Sequence, residues 1–524
     1  MSNLYIVRLL AFYRQNGSCS SSAHGQHVTD QDMNMMLRLA MKFLGKTKPI
    51  MRLVLPVIIF LVLILTACTH PNKTPDLGGI YNSLIQNENP YRNPVILIPG
   101  LLGSKLIDPK TGHTAWGKFG AAGIIFNKVS GPASIALPMG IGKNFDELED
   151  QLVPSGALDR VVVNFFGYPL QQNTYAYILG VLGVGGYRDQ DLAEAGFIDY
   201  GDRHFTCFQF DYDWRRDIVE SAQKLHLFIQ EKQRYVQQEI EKRFGIKNYD
   251  VKFDIVAHSM GGLIARYYLR YGTEDLNENG SLPEVRWAGS KHVEHLVIIG
   301  TPNAGSIDTL ISLVNGYRPA PLLPHYPAAV LGTMPSVYQL LPRSRHHPLI
   351  GENNQPVSDI FAPELWEKNG WGLADPRQDY MLKHLLPNAD TPEKRREIAL
   401  DHLTKSLRRA KQFTTAMDVP ATPPPSLHFF LVAGDSESTN KTAQIDSKGR
   451  LSIVEKGLGD GVVLRKSALL DERQGNNLTS RLISPIKWNQ VLFLFSDHLG
   501  LTQNPAFTDN VLFFLMESQR GVWH

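Results

Sequence analysis

The sequence predicts an α/β protein in which a mostly parallel central sheet carries helices on both faces. Short apolar runs, the pattern of strands buried on both sides, alternate with longer segments of helical character. This alternation favours parallel strands connected by crossover helices. At 524 residues the chain can form one large domain with insertions, or two to three domains. Strands are predicted at residues 94–99, 206–211, 251–256, 292–299, 427–432, 451–455 and 488–495, and helices at 221–244, 263–270 and 393–418.

Two long segments interrupt these elements within the predicted domain, residues 91–524. Residues 105–200 contain glycine-rich apolar stretches, and residues 306–425 include an apolar, proline-rich part. Ligands of open α/β sheets bind beyond the carboxyl ends of the strands. The two segments are therefore interpreted as a cap over that edge. Their apolar side chains either line a hydrocarbon pocket, contact a membrane or pack the cap itself, and packing is favoured for most of them.

Residues 251–266 carry the most informative local pattern. An apolar, β-branched run leads into Ala-His-Ser-Met-Gly at 257–261, and a helix-compatible stretch follows at once. Strand, sharp turn with a serine, and helix is the order of a nucleophile elbow, which would expose Ser259. Small residues suit such a turn because the helix must pack close to the strand. Ala257 stands where glycine is commoner. The alternative is a buried helix start with an incidental serine.

An elbow serine requires a histidine base and an acid, which follow it in the order acid, then histidine. His498 lies in the segment 496–500 that follows the apolar run 491–495, and Asp460 lies in a glycine turn. Asp435 also lies after a strand-like run and is the alternative acid. The sequence therefore predicts Ser259, Asp460 and His498 as a catalytic triad.

The loop after the first predicted strand is a candidate for binding negative charge. Residues 94–104 read as an apolar strand that ends in Pro-Gly and a glycine-containing loop. In a fold with a nucleophile elbow this loop lies beside the serine and supplies a backbone N–H to the oxyanion hole. The segment can also be read as an ordinary buried strand with a turn, and both interpretations are retained.

Six blocks in one order resemble the lecithin:cholesterol acyltransferase family, which includes lysosomal phospholipase A2 and phospholipid:diacylglycerol acyltransferases. The resemblance implies an α/β-hydrolase fold. It also implies that Ser259 is the nucleophile, Asp460 the acid and His498 the base. Leu101 and Met260 fall where the family places its oxyanion-hole amides, Trp116 resembles a lid tryptophan, and Val462 replaces a family threonine. The blocks are residues 94–106, 212–215, 258–262, 300–306, 459–463, and 498–499 together with 504–505.

The resemblance implies a serine acyltransferase or phospholipase that cleaves a fatty acyl ester of a glycerophospholipid. A triad of this kind forms an acyl-enzyme, which water or an alcohol, such as a sterol, then releases. The triad does not specify the acceptor. One alternative is a carboxylesterase or neutral-lipid lipase on the same fold. Another is a surface lipoprotein that binds a partner without catalysis.

Composition excludes several other classes of function. Lys plus Arg number 53 and Asp plus Glu 51, with no basic tract, so nucleic acid is not an expected partner. Cysteines and histidines do not cluster as metal ligands, and no phosphate-binding glycine loop follows a strand, so neither metal nor cofactor is expected. Asp213 and Arg215 are expected to form a structural ion pair, and Cys207 to be a buried strand residue.

The N-terminal region resembles a bacterial lipoprotein signal. Residues 41–68 contain basic side chains, a short apolar run and Leu-Thr-Ala-Cys at the end, so Cys68 is predicted to be lipidated. A transmembrane anchor is the alternative, but the apolar run is shorter than the roughly 20 residues that span a bilayer. Residues 1–40 are interpreted as an upstream mis-start or a disordered segment, and residues 69–90 as a tether. The predicted location is a bacterial membrane, reached by export.

Overall fold

The computed structural model describes nine stretches of the chain, all within one compact unit that begins at Thr74. Residues 1–40, the predicted signal at 41–68 with Cys68, and the first part of the predicted tether lie outside the described residues. The described stretches are 75–86, 88–119, 130–157, 160–165, 168–173, 175–277, 279–318, 324–473 and 481–517.

Strands and helices alternate in part of the described chain only, because residues 95–119, 153–173 and 428–459 each contain several strands in succession and residues 307–418 contain six α-helices. The strands are β1 Val95–Ile98, β2 Ser104–Ile107, β3 Thr114–Trp116, β4 Lys118–Phe119, β5 Val153–Ala157, β6 Arg160–Phe165, β7 Tyr168–Asn173, β8 Cys207–Gln209, β9 Phe253–His258, β10 Val293–Ile299, β11 Leu349–Ile350, β12 His428–Gly434, β13 Glu437–Ile445, β14 Leu451–Gly459 and β15 Gln490–Leu494. The helices are α1 Leu77–Gln86, α2 Ser130–Ala133, α3 Ala176–Val184, α4 Gln190–Glu194, α5 Ile218–Phe244, α6 Met260–Tyr271, α7 Ile307–Asn315, α8 Ala328–Leu331, α9 Pro335–Gln339, α10 Pro363–Asn369, α11 Asp379–Leu385, α12 Pro392–Asp418, α13 Arg465–Leu469 and α14 Pro505–Met516. Short 3-10 turns occur at Phe145–Glu147, Ala288–Lys291, Ser344–His346, Gly372–Ala374, Pro376–Gln378 and Gly500–Gln503.

The central sheet has the strand order β15-β12-β10-β9-β1-β8, and all neighbouring strands in it pair in parallel. The predicted parallel sheet is therefore confirmed. Every residue of β1 and β9 is buried because helices cover both faces. Alternate side chains of β1 enter different apolar cores, Ile96 and Ile98 on one face, Val95 and Leu97 on the other. Parallel pairing also brings the carboxyl ends of β1 and β9 to the same edge.

The long crossover helices have clear start and stop signals. The Asp217 side chain accepts a hydrogen bond from the Val219 N–H at the start of α5, and Gly245, at φ 71°, ends that helix. Thr391 caps α12, and Pro392 occupies its first turn. Both helices match their predicted ranges within a few residues. Among the described residues, no helix is both long and apolar enough to cross a membrane.

Residues 451–455 do not belong to the central sheet, so that part of the prediction is wrong. They lie in β14, which pairs antiparallel with β13, while β11 pairs parallel with β13. The turn between β13 and β14 contains Gly449 at φ 75°, and the Asp446 N–H donates to the Arg450 carbonyl. A local hairpin therefore forms here rather than a crossover. The glycine turn between two alternating runs was the sequence signal for it.

Helix α1 occupies part of the segment that was predicted to be a tether. Its Leu77, Tyr81 and Ile85 lie one helical turn apart along one face, and Tyr81 is buried. Tyr81 belongs to an apolar cluster that includes residues of α3 and α14, and Leu77 and Ile85 pack against the same cluster. The polar and glycine residues between them suggested a loop, but the apolar stripe gives the helix a face to bury.

The two insertions contact each other. Residues 105–200 supply the sheets β3-β2-β5 and β4-β6-β7 and helices α2 to α4, whereas residues 306–425 are mainly helical. The Leu137 N–H donates to Thr333 Oγ1 at 3.0 Å, and Lys405 Nζ donates to the Gly140 carbonyl at 3.1 Å. Residues that are distant in the chain are therefore in direct contact in the two insertions. Cys207 is buried in β8, as expected, and burial raises the pKa of its thiol.

Candidate active site

Ser259 lies at the strained turn between β9 and α6. Its φ is 52° and its ψ is −125°, an uncommon backbone conformation for a residue with a side chain. The Ser259 N–H donates to the Ile299 carbonyl at 2.8 Å, and Thr301 Oγ1 donates to the Ser259 carbonyl at 2.7 Å. A Cβ on Gly262 would lie 2.1 Å from Thr301 Oγ1. The small residue therefore lets the helix start lie against the loop after β10, and this contact supports the turn.

The three side chains predicted from distant parts of the chain meet at this turn. His498 Nε2 lies 3.1 Å from Ser259 Oγ, and His498 Nδ1 lies 2.8 Å from Asp460 Oδ2. A carboxylate accepts hydrogen bonds, so Nδ1 carries the proton and Nε2 faces the serine hydroxyl as an acceptor. This is the arrangement in which an imidazole can remove a serine proton.

Asp460 is held by backbone amides in a buried loop. Its Oδ1 accepts the N–H groups of Val462 at 3.0 Å and Val463 at 2.7 Å. Burial acts to raise the pKa of Asp460, but the His498 contact and the two amides outweigh it and lower the pKa. Thr439 Oγ1 also accepts the Gly461 N–H at 2.9 Å. The amide of Val462, the residue that departs from the family pattern, thus helps to hold the acid.

The alternative acid, Asp435, has a different neighbour. Its carboxylate faces Arg465 Nε at 3.7 Å and is partly exposed. The structure therefore joins His498 to Asp460 and pairs Asp435 with an arginine.

The expected Asp213–Arg215 ion pair is confirmed, with 2.6 Å between Arg215 Nη2 and Asp213 Oδ2, and Asp150 lies at the same distance from Arg215 Nη1.

The loop after β1 lies against the nucleophile, as predicted. A Cβ on Gly100 would be 2.7 Å from Ser259 Cβ, so glycine is needed for this approach. The Gly103 N–H donates to the Gly100 carbonyl, and Leu102 has a φ of 64°, which makes the turn tight. Leu101 lies in this turn, and Met260 begins α6 beside Ser259. These are the two positions whose amides the family resemblance implies as oxyanion donors.

Four aromatic side chains hold residues 99–104 through their polar atoms, and sequence reasoning missed these bonds. Each aromatic is distant in the chain from its partner, so no local periodicity could reveal the contact. The family resemblance identifies Trp116 and the block 212–215, which contains Tyr212 and Trp214, but it does not reveal these contacts. The bonds are Tyr175 Oη with the Gly100 N–H (2.8 Å), Tyr212 Oη with the Pro99 carbonyl (2.8 Å), Trp116 Nε1 with the Leu102 carbonyl (2.8 Å) and Trp214 Nε1 with the Ser104 carbonyl (3.0 Å).

A separate polar cluster lies near the amino ends of β9 and β10, away from the serine turn. Asp254, Glu294 and His295 could each offer one ligand atom, and those atoms lie within 4.8 Å of one another. Asn93 Nδ2 donates to Asp254 and Glu294, and His295 Nδ1 lies 2.8 Å from Asp254 Oδ1. These bonds cross-link neighbouring strands, and the cluster takes no part in the arrangement around Ser259.

The parallel sheet and the elbow define a protein of the α/β-hydrolase class. Within that class the chain is similar to lecithin:cholesterol acyltransferases, since the family model of that description matches residues 191–447. The predicted resemblance is thereby confirmed. The match supports a lipid ester hydrolase or acyltransferase. It includes Ser259 and ends before Asp460 and His498, which are joined to the serine by the geometry above.

Several solved structures also resemble the chain. The Tle4–Tli4 complex matches with 13% identity and a TM-score of 0.48, over 82% of this chain and 99% of that chain. The Bacillus licheniformis lipase BlEst2 in its propeptide form matches with 12% identity and a TM-score of 0.29, over 84% and 54%. EstA from Clostridium botulinum matches with 14% identity and a TM-score of 0.29, over 87% and 93%. No curated protein sequence gives a significant match.

Proposed function

We propose that this protein is a serine acyltransferase or phospholipase that cleaves a fatty acyl ester of a glycerophospholipid. The observation that carries the proposal is the continuous contact from Ser259 Oγ through His498 to Asp460, at 3.1 and 2.8 Å. The family match over residues 191–447 supports a lipid ester as the substrate. A surface protein that only binds a partner would not need this alignment of nucleophile, base and acid.

The proposed reaction begins when Ser259 Oγ attacks the ester carbonyl while His498 Nε2 takes the hydroxyl proton. Asp460 stabilises the imidazolium that results. The amides of Leu101 and Met260 are the proposed donors to the negative oxygen, and loss of one such donor typically raises the barrier by about 2.7–4 kcal/mol. His498 then returns the proton to the leaving alcohol, which departs as the lysophospholipid and leaves an acyl-enzyme.

The second half of the reaction releases the acyl group. Water or an alcohol gives its proton to His498 and attacks the acyl carbonyl, and Ser259 recovers its proton as it leaves. Hydrolysis yields a fatty acid, whereas transfer yields a new ester, for which a sterol is the proposed acceptor. The same side chains serve both outcomes, so the acceptor is determined by what reaches the acyl-enzyme.

Exposed apolar side chains close in the chain to Asp460 and His498 support an aggregated lipid substrate over a soluble ester. Phe495, three residues before His498, is 86% exposed, and Leu458, two residues before Asp460, is 64% exposed. Val462 follows Asp460 and is 42% exposed. Large apolar groups that stay in water next to a functional site are typical of surfaces that contact lipid or protein.

The function is tested with purified protein and vesicles of a defined, labelled glycerophospholipid, with and without cholesterol. We expect a lysophospholipid together with a free fatty acid or a new ester, identified by mass. Ser259→Ala should lower turnover by a factor on the order of 10⁴ or more while circular dichroism stays unchanged. Failure of every lipid ester to turn over would exclude the proposed substrate, and preference for short acyl chains would indicate a carboxylesterase.

Export and lipid anchoring through Cys68 are a further part of the proposal. The support is the sequence pattern of residues 41–68, because a basic region, a short apolar run and a terminal cysteine are typical of bacterial lipoprotein signals. We expect Cys68→Ser to abolish lipidation, measured by mass, and to release the protein from membranes. Cys207→Ser changes a buried cysteine and serves as the matched control. Unchanged membrane attachment in Cys68→Ser would contradict the anchor.

A further inference from the structure

We propose that Tyr175 and His258 form a neutral hydrogen-bonded relay that positions the backbone of His498 and the loop after β1. The inference rests on the proposed function and adds two positioning residues to it. Tyr175 Oη lies 2.8 Å from the Gly100 amide and 3.1 Å from His258 Nδ1. His258 Nε2 lies 3.2 Å from the His498 carbonyl oxygen. The relay therefore joins three separate parts of the site.

Backbone groups at both ends fix the direction of every bond in the relay. The His498 carbonyl can only accept, so His258 Nε2 must carry the proton and His258 Nδ1 must be the acceptor. Tyr175 then donates its hydroxyl proton to Nδ1 and accepts the Gly100 N–H. One tautomer and one hydroxyl orientation satisfy all three bonds, which makes the arrangement rigid as well as buried.

The relay stays uncharged beside a base that gains charge during turnover. His258 is buried, and burial together with the nearby His498 ring lowers its pKa to about 3. The two rings lie 4.9 Å apart between centroids. Burial also raises the pKa of the Tyr175 hydroxyl. His258 therefore does not compete for the proton that leaves Ser259.

His498 is held on both sides of its backbone. Its N–H donates to the Asp460 carbonyl at 2.9 Å, and its carbonyl accepts from His258. His258 directly precedes Ser259 in the chain. The bond from His258 to the His498 carbonyl therefore connects the base to the turn that holds the nucleophile. Loss of the Nε2 donor should let the His498 backbone shift relative to Ser259 Oγ. Displacements of about 1 Å in such an arrangement can cost on the order of 100-fold in rate.

Two amide substitutions separate the two ends of the relay. The amide nitrogen of His258→Gln can reach the place of Nε2 and donate to the His498 carbonyl. His258→Asn reaches only the place of Nδ1, so it keeps the Tyr175 contact and loses the His498 contact. Tyr175→Phe removes the hydroxyl from both the Gly100 amide and His258.

The experiment measures the rate at which a fluorophosphonate labels Ser259, together with kcat and KM on the phospholipid. In labelling, Ser259 Oγ bonds to phosphorus, fluoride leaves and the serine proton passes to His498, so the rate reports the serine–histidine geometry without a lipid substrate. We expect His258→Asn to lower the labelling rate and kcat by about 100-fold with little change in KM. His258→Gln should recover at least tenfold of that loss, and Tyr175→Phe should lose about tenfold.

His402→Asn is the matched control. His402, in α12, is also buried. Its Nε2 lies 3.1 Å from a backbone carbonyl oxygen, that of Thr333. His402→Asn should lose a similar amount of thermal stability as His258→Asn. Its Ser259 should still be labelled at the wild-type rate. Equal labelling rates for His258→Asn, His258→Gln and the wild type would overturn the relay, as would equal slowing in both substitutions. A wild-type protein that the probe does not label at Ser259 would overturn the proposed function itself.

Discussion

At the scale of single residues, the site depends on hydrogen bonds whose directions are set by groups that can only donate or only accept. Asp460 receives two backbone amides on Oδ1 and the His498 ring on Oδ2. The carboxylate is thereby fixed before substrate binds, and its lowered pKa keeps it charged at neutral pH. The orientation of His498 follows from this acid on one side and the His258 bond on the other.

Asp460 and Asp435 can be compared directly by the same substitution. Asp460→Asn should reduce kcat by about 10⁴-fold, because the amide favours the wrong histidine tautomer while preserving shape. Asp435→Asn should keep activity within about threefold, since its partner is Arg465 and the cost of an exposed pair is small. Steady-state turnover of the phospholipid measures both. The reverse pattern would show that Asp435 is the acid.

Residue types and their order in the chain predict Ser259 as the nucleophile and His498 as the base, and they leave Asp460 and Asp435 as candidates for the acid. The choice between Asp460 and Asp435 was not decidable from sequence, because both follow strand-like runs beside a glycine. The distinguishing facts are Arg465 beside one acid and the two loop amides beside the other, and these depend on tertiary packing. The bonds of Tyr175 were not predictable for the same reason.

At the scale of elements, the elbow works because α6 can begin immediately after a strained serine. The predicted helix began at residue 263, whereas the observed one begins at Met260. Local helix propensity places the start of the helix too late in the chain, because Gly261 and Gly262 are poor helix formers. Their place in the helix is determined by close approach, since a Cβ at Gly261 would lie 2.6 Å from the carbonyl oxygens of Ile98 and Pro99.

Two glycine-to-alanine changes in helices should have opposite effects. Gly262→Ala should destabilise the protein by about 1–3 kcal/mol through overpacking and lower activity by displacing Thr301. Gly183→Ala in α3 places its Cβ in open space at an exposed position and should stabilise by about 0.5–1 kcal/mol. Urea unfolding measures both. Equal effects of the two changes would contradict the close-packing explanation.

Most helices and central strands were predictable because their apolar periodicity is strong. The exceptions have specific physical causes. Residues 451–455 have the composition of a core strand, but a glycine turn pairs them locally with β13. In the segment read as a tether, the apolar spacing of Leu77, Tyr81 and Ile85 outweighs the polar residues around them. In both cases a neighbouring element decided the outcome.

At the scale of the whole molecule, stability should depend on pH through buried histidines. Burial lowers the pKa of His258 to about 3, and burial with Lys405 nearby lowers that of His402 to about 4. In the unfolded chain both protonate as the pH falls through about 6.5, whereas in the folded protein they stay neutral until much lower pH. Their contribution to stability is therefore complete above about pH 6.5 and is lost progressively below it.

The free energy of unfolding should fall by about 1 kcal/mol for each of these histidines between pH 7 and pH 5.5. In His402→Gln that difference between the two pH values should shrink by about 1 kcal/mol, because glutamine does not titrate. Denaturant unfolding at both pH values gives the comparison, with each protein serving as its own reference. An unchanged difference in the substituted protein would show that His402 does not contribute to acid sensitivity.

The aromatic bonds to residues 99–104 have a consequence for protein engineering. Trp116 and Tyr175 come from the first insertion, whereas Tyr212 and Trp214 come from the central domain. A chimera that grafts the equivalent segment of another lipid enzyme to alter selectivity would replace half of these supports. Grafts should therefore be joined after residue 117 and before residue 175, so that Trp116, Tyr175 and their bonds to residues 99–104 are kept.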